Sequence, residues 1–380
     1  MQTDSMDRQV NISVGVTGLV FAIGILGACS FMLAPFYVAG LVVIEPWTAS
    51  SAGFSVAIEL WGAALGSLAM ARARPAALTG LGLLMLSIAN ALAGFFLIDH
   101  GASVPLIYAL RFVAGLGGGA CLAAAYVALG STRDPDRYFG LLLAVALAVS
   151  GVAYFTLPWL LERIGIAGIF FGLAAIAVLL MAAYWRVADS IHFARSSSGA
   201  GNLAASSEIL IAIVLLYTAQ GAVWTFVERI AVVSGIDPSV FGLSLAASSA
   251  TGFLGGLVNA IQGKRGGRRI PVAIALIATV ALLYMMILPV NALYFAIAVC
   301  GLQFAWCYVT PFLMGGLAET LDDMRSLSVG VFTQLAGLGL GPFVAATLLE
   351  TGSDISMVPW VAMAATLLAV LAAVRAMKHR

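Results

Sequence analysis

Charge is scarce in this sequence. Of its 380 residues, 9% are Asp, Glu, Lys or Arg and 62% are hydrophobic, whereas soluble domains carry roughly 25% charged residues. A mean hydropathy of +1.07 excludes a water-soluble globule and points to a polytopic membrane protein. The formal net charge is +1 and no basic stripe lies outside the short loops, so no nucleic-acid partner is expected. Metal and redox chemistry lack ligands. Cys29, Cys121, Cys300 and Cys307 sit in apolar runs without CxxC spacing and read as small core residues. His100, His192 and His379 fall in loops or at the terminus, and no zinc or haem constellation can be assembled from them. A phosphate-binding glycine loop is missing too, which argues against ATP as the driving force. No cofactor is expected. An enzyme would need a catalytic cluster at membrane depth, and a receptor would need an appended soluble domain; neither is legible.

What the chain does have is long apolar runs. About 20 residues at a 1.5 Å rise cross a hydrocarbon core of roughly 30 Å. On that measure helices are expected at 11–41, 51–71, 75–98, 104–129, 138–160, 166–187, 208–234, 239–262, 270–289, 292–316, 326–349 and 355–376. The short polar stretch from Met1 to Gln9 lacks the basic start of a cleaved signal peptide, so the first helix is expected to stay. Twelve crossings put both termini on one side. The loops and ends of one side hold Arg8, Arg72, Arg74, Arg133, Arg137, Arg186, Arg195, Lys264, Arg265, Arg268, Arg269, Arg325, Arg375, Lys378 and Arg380. The other side holds only Arg163 and Arg229. Short cytoplasmic loops collect Lys and Arg, so both termini are expected in the cytoplasm of a multi-pass inner (plasma) membrane protein.

The chain also repeats itself. A flexible segment, residues 196–202 (SSSGAGN), divides the crossings six and six. Sliding the sequence by 189 positions aligns residues 53–68 (GFSVAIELWGAALGSL) with 242–257 (GLSLAASSATGFLGGL) without a gap. Repeats with an even number of crossings share one orientation, an arrangement whose substrate site lies near the midplane between the halves. The expected fold is therefore all-α: twelve transmembrane helices in two pseudo-symmetric six-helix bundles, residues 1–190 and 208–380, joined by a cytoplasmic linker at 191–207.

Two further features carry a family resemblance. The loops after the second and eighth helices keep the glycines and arginines of a Gly-x-x-x-Asp-x-x-Gly-Arg-Arg motif, with Met70 where the acid is expected in the first and no acid in the second. Residues 111–117 (RFVAGLG) match Arg-x-x-x-Gly-x-Gly in the fourth helix. On these motifs, and over its whole length, the chain resembles the major facilitator superfamily of secondary carriers. The resemblance implies a rocker-type transporter in which Arg111 is associated with proton coupling. A fifth-helix antiporter motif is absent: residues 151–158 (GVAYFTLP) do not fit it, and 337–342 (GLGLGP) in the eleventh helix only echo it.

Intramembrane polar residues mark the candidate site, because a charge at that depth costs several kcal/mol and needs a partner or a water-filled cavity. Arg111 is one such charge, and Glu59 is the lone carboxylate deep in a first-half helix. They lie about 10 Å and 13 Å from the ends of their spans, so they can meet. An arginine that moves relative to a buried carboxylate changes its proton affinity, which a coupled carrier needs. A permanent structural ion pair is the competing reading. Tyr217, Gln220, Trp224 and Glu228 share one face of the seventh helix. Glu228 with Arg229 also reads as an interfacial pair. Gln303, Trp306 and Thr310 repeat the polar-aromatic pattern in the tenth helix, and Tyr37, Tyr154 and Gln334 are further candidates for contact with a solute. Ser248, Thr251, Gly255 and Asn259 on the eighth helix read as packing glue. The expected partners are a small organic solute, aromatic or anionic, together with protons and the bilayer, for a monomer working by symport. Efflux of amphipathic compounds is the alternative.

Overall fold

In the computed structural model, residues 14–70, 75–98, 103–130, 132, 135–191, 206–263, 267–288, 291–320 and 324–377 are described. The linker at 196–202, the N-terminal stretch, the arginines at 72, 74, 133, 195 and 265, Lys264, the three histidines and the residues after Met377 lie outside them. The described chain is helical throughout: α1 (Val14–Met32), α2 (Ala34–Leu41), α3 (Ala49–Met70), α4 (Pro75–Ile98), α5 (Val104–Gly130), α6 (Pro135–Val187), α7 (Ser207–Val233), α8 (Pro238–Gln262), α9 (Arg269–Met285), α10 (Ala292–Thr320), α11 (Met324–Glu350) and α12 (Met357–Ala376). Among the described residues nine helices are long and apolar enough to span a bilayer, or ten with α1 and α2 counted as one bent crossing. The protein is a multi-pass membrane protein.

Three boundaries differ from expectation. The first crossing, expected as one helix over 11–41, breaks at Leu33, and its two parts meet at 46°. Pro35 explains the break, because it has no amide N–H for the carbonyl four residues back and its ring clashes there. The helices expected at 138–160 and 166–187 run together as α6, whose one non-helical residue is Gly165, at φ 63° and ψ −179°. At 1.5 Å per residue a helix of 53 residues is about 80 Å long, so α6 makes two crossings that turn at Gly165. The ninth helix ends at Met285 rather than 289 and is 17 residues long. Where a helix start is well defined, local chemistry sets it. Asp237 caps α8 by accepting from the Ser239 amide at 2.8 Å, with Pro238 as the first helical residue. The hydroxyl and amide of Ser239 hold the Asp237 carboxyl below the usual carboxylate range, and the amide and hydroxyl of Ser356 do the same for Asp354 before α12.

Missing side chains let α3 and α5 approach closely. A Cβ at Gly115 would stand 1.9 Å from the Glu59 carbonyl oxygen, and one at Gly119 would stand 1.8 Å from that of Ala63. The eighth-helix residues read as packing glue behave accordingly. The Thr251 hydroxyl donates to the Cys300 carbonyl at 2.8 Å and the Asn259 amide donates to that of Tyr308 at 2.9 Å, tying α8 to α10. Elsewhere α3 packs along α11, α6 along α8, and α2 against α7. The Ser50 hydroxyl donates to the Ala346 carbonyl at 3.0 Å, Phe54 and Trp61 meet Phe343 at 5.6 and 5.0 Å, and Phe36 meets Phe241 at 6.1 Å. The contacts through Ser50, Phe54 and Phe36 bring these helices together toward the end of the molecule that carries the 42–48, 234–237 and 351–356 connections.

Candidate functional site

The buried polar candidates gather into two centres. The first is built on Arg111, fully buried in α5, and Glu59, 2% exposed in α3. The close α3–α5 crossing sets their depth, since Gly115 sits one turn beyond Arg111 and its Cα lies against the Glu59 backbone. Arg111 Nη1 reaches the two carboxylate oxygens at 3.3 and 3.4 Å. Its Nη2 donates to Asn90 Oδ1 in α4 at 2.8 Å. The guanidinium carbon stands 4.3 Å from the Phe170 ring centre and 5.8 Å from that of Tyr37. A charge this deep is tolerable when paired, hydrogen-bonded and stacked; Nη1, Nη2 and the guanidinium face meet these conditions, while Nε has no well-aligned acceptor. Tyr37, expected at a solute site, lies instead on this ion pair and edge-on to Phe170 at 5.2 Å.

The second centre is aromatic. Trp224 of α7 packs on Tyr154 of α6 at 5.6 Å and on Phe31 of α1 at 6.1 Å. Phe31 also meets Trp306 of α10 at 5.6 Å, and Trp306 meets Tyr217 of α7 at 5.7 Å. Gln220 Nε2 donates to Gln303 Oε1 at 3.4 Å, and the Tyr217 hydroxyl donates to Thr310 Oγ1 at 3.4 Å. The stripe expected on α7 and its partner on α10 thus face each other. The indole N–H of Trp224 is buried without an acceptor among the described residues. That of Trp306 has no well-aligned acceptor, although the Tyr217 hydroxyl, which donates to Thr310, lies beside it with its lone pairs free. A buried donor left unpaired costs about 1–3 kcal/mol, which a bound acceptor would recover.

Two candidates stand apart. Glu228 continues the α7 face in sequence, yet its carboxylate is spent on its neighbour, with Arg229 Nη2 at 2.6 Å. Gln334 is half-buried on α11. Asn90, Phe170 and Phe31 were not expected at either centre. A lone amide in an apolar span is a signal that could have flagged Asn90; a phenylalanine in such a span carries none.

These helices superpose on solved structures over nearly their full length. The crystal structure of a D-xylose–proton symporter matches with a TM-score of 0.71 at 13% identity, covering 94% of this chain and 96% of that one. The fold is that of the major facilitator superfamily. The xylose transporter of E. coli matches in a partially occluded inward-open conformation (TM-score 0.71, 12% identity, 94% and 97% covered). It matches equally in its inward-open conformation (TM-score 0.72, 13% identity, 94% of each chain covered). No protein-family model matches the sequence, and no curated protein does so at a significant level. The major facilitator fold was therefore visible in a few motifs and is carried here by the backbone.

The two indole N–H groups allow a test. Trp224→Phe and Trp306→Phe keep an aromatic ring and remove the N–H together with part of the bicyclic ring. Each is expected to weaken solute binding about 3- to 10-fold, the worth of one hydrogen bond at ~0.5–1.5 kcal/mol, with a smaller loss of stability than full truncation. Trp224→Ala should instead cost ~3–5 kcal/mol of stability, because Trp224 is a buried side chain whose loss opens a cavity. Isothermal titration and thermal melting of the same preparations check both.

Proposed function

We propose that the chain is a proton-coupled symporter of a small organic solute, working by alternating access between two six-helix bundles, residues 1–190 and 208–380. The observation that carries this reading is the buried Glu59–Arg111 pair, joined through one bent crossing to an aromatic centre with unspent donors. The xylose–proton symport of the structural neighbours supports it. Close glycine crossings at equivalent points of the repeat support the two-bundle division: a Cβ at Gly66 would meet the Leu116 carbonyl oxygen at 2.1 Å, and one at Gly255 would meet that of Phe304 at 2.3 Å.

In this reading the solute lies on the faces of Trp224, Trp306 and Tyr154 and accepts from the indole N–H groups and the Gln220–Gln303 amides. Arg111 already has a carboxylate, an amide and two rings, so the site does not require an anionic solute. Coupling runs through the first crossing. Phe31 covers both tryptophans, while α2 beyond the bend holds Tyr37 against Arg111 and Phe36 against Tyr154. A solute that displaces Phe31 moves Tyr37, and with it the guanidinium paired with Glu59. No resident cofactor or catalytic step enters, and the carrier works as a monomer in the inner membrane.

The fifteen-to-two bias of basic residues places both termini in the cytoplasm. Single cysteines near Ser197 and near His379 are then shielded from impermeant thiol reagents in intact cells, and one near Asp354 is labelled. Labelling at Ser197 in sealed cells reverses the orientation. The solute class is open to a thermal-shift screen, because a ligand held 100-fold above its Kd adds about 2.7 kcal/mol of apparent stability. Hits that raise the midpoint of the wild type more than that of Trp224→Phe identify solutes of this site.

A further inference from the structure

Asn90 stands in none of the roles assigned so far, yet it makes the shortest hydrogen bond to Arg111. Its Oδ1 accepts from Nη2 at 2.8 Å, against 3.3 and 3.4 Å for the contacts between Nη1 and the Glu59 oxygens. The amide cannot be turned round without loss, since its Nδ2 donates to the Leu86 carbonyl at 2.8 Å and so fixes the oxygen toward the guanidinium. Asn90 is 2% exposed and comes from α4, an element that carries neither member of the ion pair.

Resting on the symport reading, we propose that Asn90 is a positioning residue: it holds Arg111 on a neutral acceptor, so that the guanidinium is shared with Glu59 rather than surrendered to it. The consequence is chemical. An arginine free to close fully on the carboxylate would form a two-point, charge-assisted pair and make the proton-binding form of Glu59 hard to reach. An arginine kept in place by Asn90 and the Phe170 face remains where it is after Glu59 takes its proton, and the site can be emptied and refilled without the cation wandering. Cys29 from α1 and Tyr37 from α2 are titratable groups that also lie near Glu59. Both are neutral at working pH by type, while α4 and α6 contribute Asn90 and Phe170 to the cluster. In the second half, the 189-residue offset puts Ser248 and Cys300 at the equivalent positions, so the shared cation belongs to one half alone.

The test needs no solute. Infrared difference spectra of purified, reconstituted protein, titrated with buffer pH alone, should show a protonated-carboxyl band that Glu59→Gln removes. Asn90→Ala, which frees Arg111 to close on Glu59, should move the midpoint of that band acidward by about one pH unit. Asn90→Asp, which shares the arginine with a second carboxylate, should move it alkaline by a similar amount; the added acid is identified by its band in the Glu59→Gln background. Opposite movements are not produced by a merely structural residue. If the wild type shows no band that Glu59→Gln removes, the coupling reading itself fails. If the band is present and stays in place in Asn90→Ala and Asn90→Asp, coupling stands and the role of Asn90 is wrong. Should Asn90→Ala not fold, Asn90→Asp alone decides, since an unmoved midpoint there has the same meaning.

Discussion

Glu59→Gln is expected to exchange solute across a membrane and to lose accumulation driven by a proton gradient. On the symport reading the amide mimics the protonated acid, so the protein can still reorient with solute bound, but it has no proton to release. With one proton per solute, a gradient of one pH unit supports about tenfold accumulation, corresponding to 1.36 kcal/mol. The variant should fall to the external concentration while counterflow continues. Arg111→Lys keeps the charge and loses the planar fork that spans Glu59 and Asn90, so it should impair coupling rather than be silent. Arg111→Ala strands a buried carboxylate at a cost of ~3–5 kcal/mol and should reduce the folded yield. A pair with a purely structural role behaves differently. Glu59→Gln and Arg111→Lys then both lose stability, and the exchange Glu59→Arg with Arg111→Glu restores part of it. Proteoliposome counterflow and pH-gradient uptake, each beside a melting curve, separate the two.

The second large effect is on the fold. Gly115→Val places branched carbon where a single Cβ would already stand 1.9 Å from the Glu59 carbonyl oxygen. The α3–α5 crossing must then open, and Glu59 is displaced from Arg111 with it. Overpacking of this kind costs ~1–3 kcal/mol or more, so the thermal midpoint should fall by on the order of 5 °C and coupling should fail together with stability. Gly172→Ala in α6 is the control, because a Cβ there meets nothing within 4 Å. A silent Gly115→Val would mean that the two helices do not cross as described.

The ion pair was legible in the sequence because intramembrane charge is rare and helical rise turns position along the chain into depth: spacing alone puts Glu59 and Arg111 at matching levels. The facing stripes on α7 and α10 were legible for the same reason, as polar side chains at helical spacing in otherwise apolar spans. Rotation about each helix axis was not. Tyr37 sits at a depth suited to a solute, and only packing decides that it turns to Arg111 and Phe170. The partners Phe31 and Phe170 were hidden because an apolar aromatic in an apolar span is the ordinary case. The bend at Leu33 had a local cause in Pro35, whereas the run of α6 up to Gly165 did not. The count of basic residues put Arg163 in a loop, and yet the helix carries it up to the turn, where it lies 4.4 Å from the Trp159 ring. Glu228 follows the reading of a pair with Arg229 rather than the face pattern that pointed it to a cavity.

Whether solute and proton cross together on one carrier can be read directly from lumenal pH. Proteoliposomes that hold a pH-sensitive dye start with no pH gradient, and a solute from the thermal-shift screen is added outside. Symport predicts that the lumen acidifies as solute enters, with no pH change for Glu59→Gln under conditions where it still exchanges solute. A lumen that turns alkaline would identify proton antiport, and solute entry without any pH change in the wild type would identify a uniporter; either result contradicts symport.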